Sequence, residues 1–425
     1  MGVKVTVVGG ASTYTPELID GLARRADRLP IDELALLDID PERLGIVGGL
    51  AGRMLDHVGW PGHLTLTTDR DAAIDGADFV LIQLRVGGQA ARLVDETLPP
   101  RFGTIGQETT GAGGFAKALR TVPVVLELAE LVRRRAAQGA WIVDFTNPVG
   151  IVTQALLDEG HRALGLCNVA ITLQRRMAEW LNIEPEKVEI DQVGLNHLSW
   201  VRAVRVDGFD QLPDLLEAHD AEIAAEMDLP VRPFRSLHAI PSYYLRYYDD
   251  FERVLGQQQG GHVRAEEVIG IERRLLELYQ DPSLVTKPAL LADRGGAYYS
   301  EAAAQLLASL HDGLGDVQVV DLRNDGALPG LADDDVVEVP ARIDRDGAHT
   351  LAQEALPDEA QELVVAAKAY ERLTITAALS GDPADALRAL AANPLVDGHT
   401  EPAPLLDALL DANRGLLPAF FPTSA

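Results

Sequence analysis

Over the first 170 positions, apolar residues come in short runs separated by amphipathic stretches, the pattern of repeated βαβ units around a buried parallel sheet. The runs predict strands at 3–8, 34–38, 64–67, 79–84, 141–145 and 163–167. After the first strand, the stretch 16–26 reads as a helix, with Thr15 as its N-cap, Pro16 at the favoured first position, and Arg24 and Arg25 at its negative end. From 188 the rhythm changes. Two strand-like segments at 188–193 and 200–206 lead into long helical stretches that run to 312. Further strands are predicted at 317–322 and 335–340, and the remainder is helical and rich in Ala and Leu. The pattern therefore predicts an α/β protein. A Rossmann-type domain with a parallel sheet is expected over 1–187 and a mixed α/β, helix-rich domain over 188–425, with the active site in the cleft between them.

The length of 425 residues agrees with two large domains, each of the order of 150 residues or more. Against 37 basic side chains stand 65 acidic ones, and the net charge of −28 repels phosphate backbones and anionic lipid heads. Neither nucleic acid nor membrane is an expected partner. The run Ala332-Asp333-Asp334-Asp335 reads as a solvated loop. A single cysteine allows no intrachain disulfide, and the chain enters Val3-Lys4-Val5-Thr6-Val7-Val8 without a charged leader, so a cytoplasmic protein is expected.

That first strand ends in Gly9-Gly10-Ala11-Ser12 just ahead of a helix, where backbone N–H groups can receive a pyrophosphate. Ala11 and Tyr14 occupy the second and third glycine positions of the usual Gly-x-Gly-x-x-Gly spacing, which weakens the motif. Gly9, Gly10 and Ser12 are the candidate phosphate cradle. The second strand ends in Leu36-Leu37-Asp38-Ile39-Asp40, where a carboxylate could accept both adenosine ribose hydroxyls and exclude a 2′-phosphate, favouring NAD over NADP. Asp38 is the better candidate if Asp40 only caps the helix that starts at Pro41; the two tasks could also be divided.

Cys167 falls at the end of a predicted parallel strand, the edge where open α/β sheets bind ligands, although a lone cysteine is more often a small buried hydrophobe. Its segment Leu166-Cys167-Asn168 is followed by Gly194-Leu195-Asn196-His197-Leu198 and by Pro241-Ser242-Tyr243-Tyr244-Leu245-Arg246-Tyr247-Tyr248. With Gly106-Gln107-Glu108-Thr109, Gly113-Gly114-Phe115, Thr146-Asn147-Pro148 and Arg294-Gly295-Gly296-Ala297-Tyr298-Tyr299-Ser300, the chain resembles glycoside hydrolase family 4. The motifs spread over roughly residues 5–345.

The resemblance implies a lactate/malate dehydrogenase-like fold and a glycosidase that uses NAD and a divalent metal, usually Mn²⁺, outside the paired-carboxylate scheme of most glycosidases. It matches Cys167 and His197 to the metal ligands, Tyr244 to the base that takes the C2 proton after NAD oxidises C3, and Asn147 and Glu108 to positions lining the sugar and metal. A tyrosine needs help to ionise near neutral pH, and Arg246 is a candidate helper. Tyr243 remains an alternative base, and the four tyrosines could instead form a packing stripe. Arg85 and Arg294 could each hold a ligand anion bidentately or serve in salt bridges. Ala11 departs from the third consecutive glycine of many members, and its methyl is expected to crowd the pyrophosphate slightly. At position 168 the family's α-glucoside enzymes commonly carry Asp, which can protonate an axial leaving oxygen; Asn168 cannot, though it can bind a sugar hydroxyl. The expected substrate is thus a 6-phospho-β-glucoside, and the expected assembly a homodimer or homotetramer. Members acting on α-glucosides, α-galactosides or uronides, a hydroxyacid dehydrogenase, and a silent NAD- or sugar-binding protein are the alternatives.

Overall fold

Val5, Thr6 and Val7 point to alternating faces of the first strand and are all fully buried, as in a sheet covered on both sides. The computed structural model describes residues 2–230, 237–261, 263–295 and 298–422. Gly296, Ala297 and parts of the predicted helical stretch before 312 lie outside them.

Six strands make the parallel half: β1 (Val3–Val8), β2 (Ile31–Leu37), β3 (His63–Thr67), β4 (Phe79–Ile82), β5 (Trp141–Asp144) and β6 (Ala163–Gly165). Their order is β3-β2-β1-β4-β5-β6, the dinucleotide-binding arrangement with its switch point beside β1. Then come β7 (Val188–Leu195), β8 (Leu198–Val206), β9 (Phe209–Asp210), β10 (Ile240–Pro241), β11 (Asp316–Arg323), β12 (Val336–Asp344) and β13 (Gly347–Thr350). β11 joins β6 antiparallel through Asp321 opposite Gly165, so one sheet continues β6-β11-β12-β7-β8-β10 across both halves of the chain.

Alternation along the strands divides the interior into two main cores. Val7, Leu36, Leu81 and Val143 enter one, and Val80, Ile82 and Ile142 the other. The second core also takes Phe115 and Val122 of the helix Gly111–Arg135 and Leu405 and Leu409 of the late helix Pro402–Ala412, so the end of the chain packs back on its first half. Among the described residues no helix is long and apolar enough to cross a membrane.

Several boundaries differ from the pattern-based expectation. β2 begins at Ile31, three residues early, because Ile31 and Glu33 pair with β1 despite the intervening charges. β4, β5 and β6 stop at Ile82, Asp144 and Gly165, and the apolar residues after them continue as loops over the cleft. The first helix is Thr15–Ala23; Thr15 is its first residue rather than its cap, and the hydroxyl donates to the Gly10 carbonyl at 2.9 Å. In the acidic run, Asp333 and Asp334 are exposed, whereas Asp335 is 5% exposed, receives the Ala332 N–H at 2.8 Å and pairs with Arg372 at 2.6 Å. A buried salt-bridged aspartate replaces that part of the predicted solvated loop.

Candidate active site

At the end of β1 the chain turns sharply. Gly9 has φ +87°, and a Cβ there would lie 2.7 Å from the Gln83 carbonyl oxygen, so only glycine fits. Gly10 has a different reason to be glycine: a Cβ would meet the Leu36 Cβ at 2.8 Å. It packs on β2, and its N–H, like that of Gly9, donates to the Leu37 carbonyl at 2.9 Å; Gly9 and Ser12 border the cleft. Asp38 accepts from Ala11 N at 2.9 Å and from Asp40 N at 3.2 Å, tying the end of β2 to the turn. Asp40 caps the helix Pro41–His57 by accepting from Arg43 N at 3.0 Å. Both carboxylates border the same cleft, with the half-buried Asp38 nearer the turn. Ala11 is 2% exposed and packs in the apolar core while also bordering the cleft between Gly9 and Ser12.

From this turn the cleft, about 1210 Å³ in volume, runs to a second group formed by Glu108, Asn147, Cys167, Asn168 and Tyr244. That volume exceeds the roughly 300–1,000 Å³ of ordinary ligand pockets, as a dinucleotide plus a sugar requires. Cys167 lies two residues beyond β6 and caps the helix Asn168–Leu181, whose first residue is Asn168. His197 occupies the tight turn between β7 and β8 with φ +65°, and its neighbour Asn196 donates to the buried Glu338 at 3.2 Å. Cys167 Sγ and His197 Nε2 stand 3.5 Å apart. Two such donors on one metal ion at about 2.3 and 2.1 Å are separated by roughly 3.1–3.6 Å, so the pair fits a shared ion. Burial, and then the Lys117 charge, lower the His197 pKa to about 3, leaving a neutral imidazole whose lone pair can ligate. Burial and the neighbouring Glu338 push the Cys167 thiol up, so binding an ion there must displace its proton. Among the described residues no group of three or more His, Cys, Asp or Glu is placed to hold a metal.

Tyr244 covers His197 face to face, with centroids 3.9 Å apart and planes 17° from parallel, and Tyr243 stacks on Tyr244 at 4.7 Å. Burial raises the Tyr244 phenol, and Tyr243 adds to the effect. Arg246 donates through Nη2 to Tyr247 Oη at 3.2 Å; its charge lowers the Tyr243 phenol and is in turn favoured by Tyr244, without outweighing the burial of Tyr244. Asn147 follows β5 with Oδ1 buried and without a protein partner, an acceptor facing ligand space.

Both candidate arginines engage a protein carboxylate. Arg85 grips Glu108 with both Nη atoms, and Arg92 and Lys117 reach the same carboxylate at 3.3 and 2.8 Å. With Glu96 also engaged by Arg92 at 2.7 Å, three basic side chains share two carboxylates along the cleft, and burial lowers Lys117 well below the usual lysine range and Arg85 to about 9. Arg294 likewise spends Nε and Nη2 on Glu272 at 3.1 and 2.9 Å, so each of the two forks is engaged by a protein carboxylate, as the salt-bridge alternative had it. Lys117, Arg92 and Glu272 escaped sequence reading, yet a signal was present. Glu272 interrupts the buried stripe Ala265, Val268, Leu275 and Tyr279, and Lys117 sits between Phe115 and Leu119.

Comparison with known proteins follows the same geometry. The family model "Family 4 glycosyl hydrolase" matches residues 4–183, and "Family 4 glycosyl hydrolase C-terminal domain" matches 192–396. A probable 6-phospho-beta-glucosidase of Bacillus subtilis (strain 168) is 41% identical over 435 residues, covering 99% of this chain and 98% of that protein. The 6-phospho-beta-glucosidase of Thermotoga maritima, solved with manganese, NAD⁺ and glucose-6-phosphate, superposes with a TM-score of 0.91 at 36% identity, covering 97% of this chain and 99% of that one. Malate dehydrogenase of Plasmodium falciparum, at 14% identity, 89% and 98% coverage and a TM-score of 0.54, shares the fold alone. The chain belongs to glycosyl hydrolase family 4.

Proposed function

We propose that this chain hydrolyses 6-phospho-β-glucosides using NAD and a divalent metal ion, Mn²⁺ by the family resemblance, in the cytoplasm and as a homodimer or homotetramer. Residues 1–187 supply the nucleotide subsite and one wall of the sugar subsite, and 188–425 supply the rest. One observation carries the reading: a glycine turn with its ribose-type carboxylate opens into the same cleft as the Cys167 thiol, whose sulfur stands 3.5 Å from the neutral imidazole of the buried His197. Gly9, Ser12 and Asp38 would hold the dinucleotide, and Cys167 Sγ with His197 Nε2 the ion. When bound, the nicotinamide supplies reversible hydride transfer at C3 and the ion supplies charge stabilisation for a sugar oxyanion.

The remaining work falls to the chain. Tyr244 would take the C2 proton onto Oη as its phenolate; the buried phenol must first give up its own proton, which a cation held at Cys167 and His197 would favour, and the ring is stacked against His197 so that it cannot swing away. The aglycone leaves C1, water adds there, C2 regains a proton and the hydride is returned to C3, so no net oxidation results. Asn147 and Asn168 orient sugar hydroxyls, and Arg85, beside Arg92 and Lys117 on Glu108, receives the 6-phosphate by releasing part of its own hold on that carboxylate. The β preference rests on Asn168, whose amide has no proton to give an axial leaving group.

The test is turnover of phosphorylated and unphosphorylated α- and β-nitrophenyl glucosides in D₂O with NAD, Mn²⁺ and reductant. Hydrolysis is expected with the phosphorylated β-compound, carrying deuterium at C2, and Tyr244→Phe should suppress both label and hydrolysis. Cys167→Ser and His197→Ala should lose Mn²⁺ binding in calorimetry while still binding NAD. Hydrolysis without C2 label would sink the elimination chemistry, and equal turnover of the α-compound would sink the anomeric choice.

A further inference from the structure

Glu272 lies in the middle of the helix Arg264–Tyr279, 5% exposed, and four segments converge on its carboxylate. Thr13 Oγ1, from the turn after β1, donates at 3.2 Å. Arg43 Nη2, from the helix after β2, donates at 3.1 Å, and its Nε holds the Ala11 carbonyl of the same turn at 2.9 Å. Gln89 Nε2, just past Gly87 and Gly88, donates at 2.9 Å. Arg294 completes the set with Nε and Nη2 at 3.1 and 2.9 Å. The same helix reaches the turn a second time, through Tyr279 Oη donating to the Thr13 carbonyl at 2.6 Å.

A buried carboxylate needs full hydrogen bonding and counter-charge, so these donors cannot move independently. Burial by itself would raise the Glu272 pKa, but Arg294 and Arg43 win and hold it at about 2. The carboxylate is therefore charged wherever the protein works. One side of it fixes the nucleotide turn; the other fixes the segments that carry Arg85 and Arg294 along the cleft.

We propose that Glu272 is a positioning residue that couples the dinucleotide subsite to the anionic-sugar subsite. A dinucleotide that settles the Gly9–Tyr14 turn settles Arg43 and Thr13 on Glu272, and through it Arg294 and Gln89. The sugar phosphate then meets its cationic wall already arranged. Linkage makes the effect reciprocal: glucose 6-phosphate must tighten NAD by the factor by which NAD tightens glucose 6-phosphate. The inference rests on the proposed use of NAD and a phosphorylated sugar.

The experiment is calorimetric titration of the full chain with NAD, with and without saturating glucose 6-phosphate, and the converse titration. The parent should show the same enhancement in both directions, at least about fivefold, the lower end of ordinary coupling. Glu272→Gln, which keeps volume but not charge, should bring the factor to within twofold of one, and Glu272→Asp should restore part of it. Loss of folded protein would change the number of sites titrated but not this ratio. Should Glu272→Gln fail to fold, Arg43→Gln cuts only the nucleotide-side arm and should abolish the enhancement in the same way. A parent that binds both ligands with no enhancement overturns the coupling and leaves the function standing. Enhancement that survives in these variants overturns it too, while failure of the parent to bind either ligand overturns the function and the coupling with it.

Discussion

Arg120 projects from the helix Gly111–Arg135 into the interior, and neither it nor its partner Asp95 exposes any side-chain surface. Nη1 and Nη2 donate to the two Asp95 oxygens at 2.9 and 2.5 Å, Nη1 also reaches Asn413 Oδ1 at 3.2 Å, and Nε donates to the Val86 carbonyl at 3.0 Å. Arg120→Met strands a buried carboxylate and removes a donor from the loop that carries Arg85. Breaking one side of such a pair costs about 3–5 kcal/mol. An unfolding entropy of about 2.1 cal/mol/K per residue, over 425 residues, is about 0.9 kcal/mol/K, so Tm should fall by about 3–6 °C. Scanning calorimetry of ligand-free protein reads this directly. The KM for the phosphorylated substrate should rise as the loop loosens. Asp95→Leu combined with Arg120→Met removes both charges and should recover most of the Tm, because burying an apolar pair avoids desolvating two ions. Its KM should stay high, since the Val86 carbonyl still lacks its donor. A single variant whose Tm stays within about 1 °C of the parent would refute the stabilising role of the pair.

Asp38→Ala should weaken NAD by about 1.5–3 kcal/mol, roughly 10- to 160-fold, in a fluorescence titration, since charge-assisted hydrogen bonds are lost. An unchanged affinity would take the ribose role away from Asp38. Glu272 is held at about 2 against an ordinary 4.5, so it stabilises the fold fully above 4.5 and loses that contribution as pH falls toward 2. The shift predicts about 3 kcal/mol at pH 5 and roughly half of that at pH 3. Urea unfolding of parent and Glu272→Gln should therefore converge on acidification, and a difference independent of pH would contradict the sign.

The parallel half and its glycine turn were legible because buried strands and the residues that punctuate them are local signals. Cys167, His197 and Tyr244 were found together from motifs although 77 positions separate the first from the last, and the structure brings them into one contact group. What stayed hidden depends on distant partners. Thr15 looks like a cap until the Gly10 carbonyl is seen above it. Asp335 reads as solvated until Arg372 arrives from a later helix. Arg294 looks free to take an anion because its true partner, Glu272, is spaced 22 residues before it on a helix whose docking no local pattern reveals. Gly10 was legible as glycine, but not the reason for it, which lies in the flank of β2.

The junction of β6 with β11 has a consequence for synthesis. Gly165 emerges about 150 residues ahead of the Asp321 segment that covers its edge, a delay of roughly 8–30 s at about 5–20 residues per second. For that interval the nascent parallel sheet ends in a bare strand, open to pairing with a neighbouring chain. The side chain of Asn413, which meets Arg120, is made later still. Production of this protein should therefore be limited less by the finished fold than by what shields that edge on the ribosome, and slowing translation before β11 should increase insoluble product.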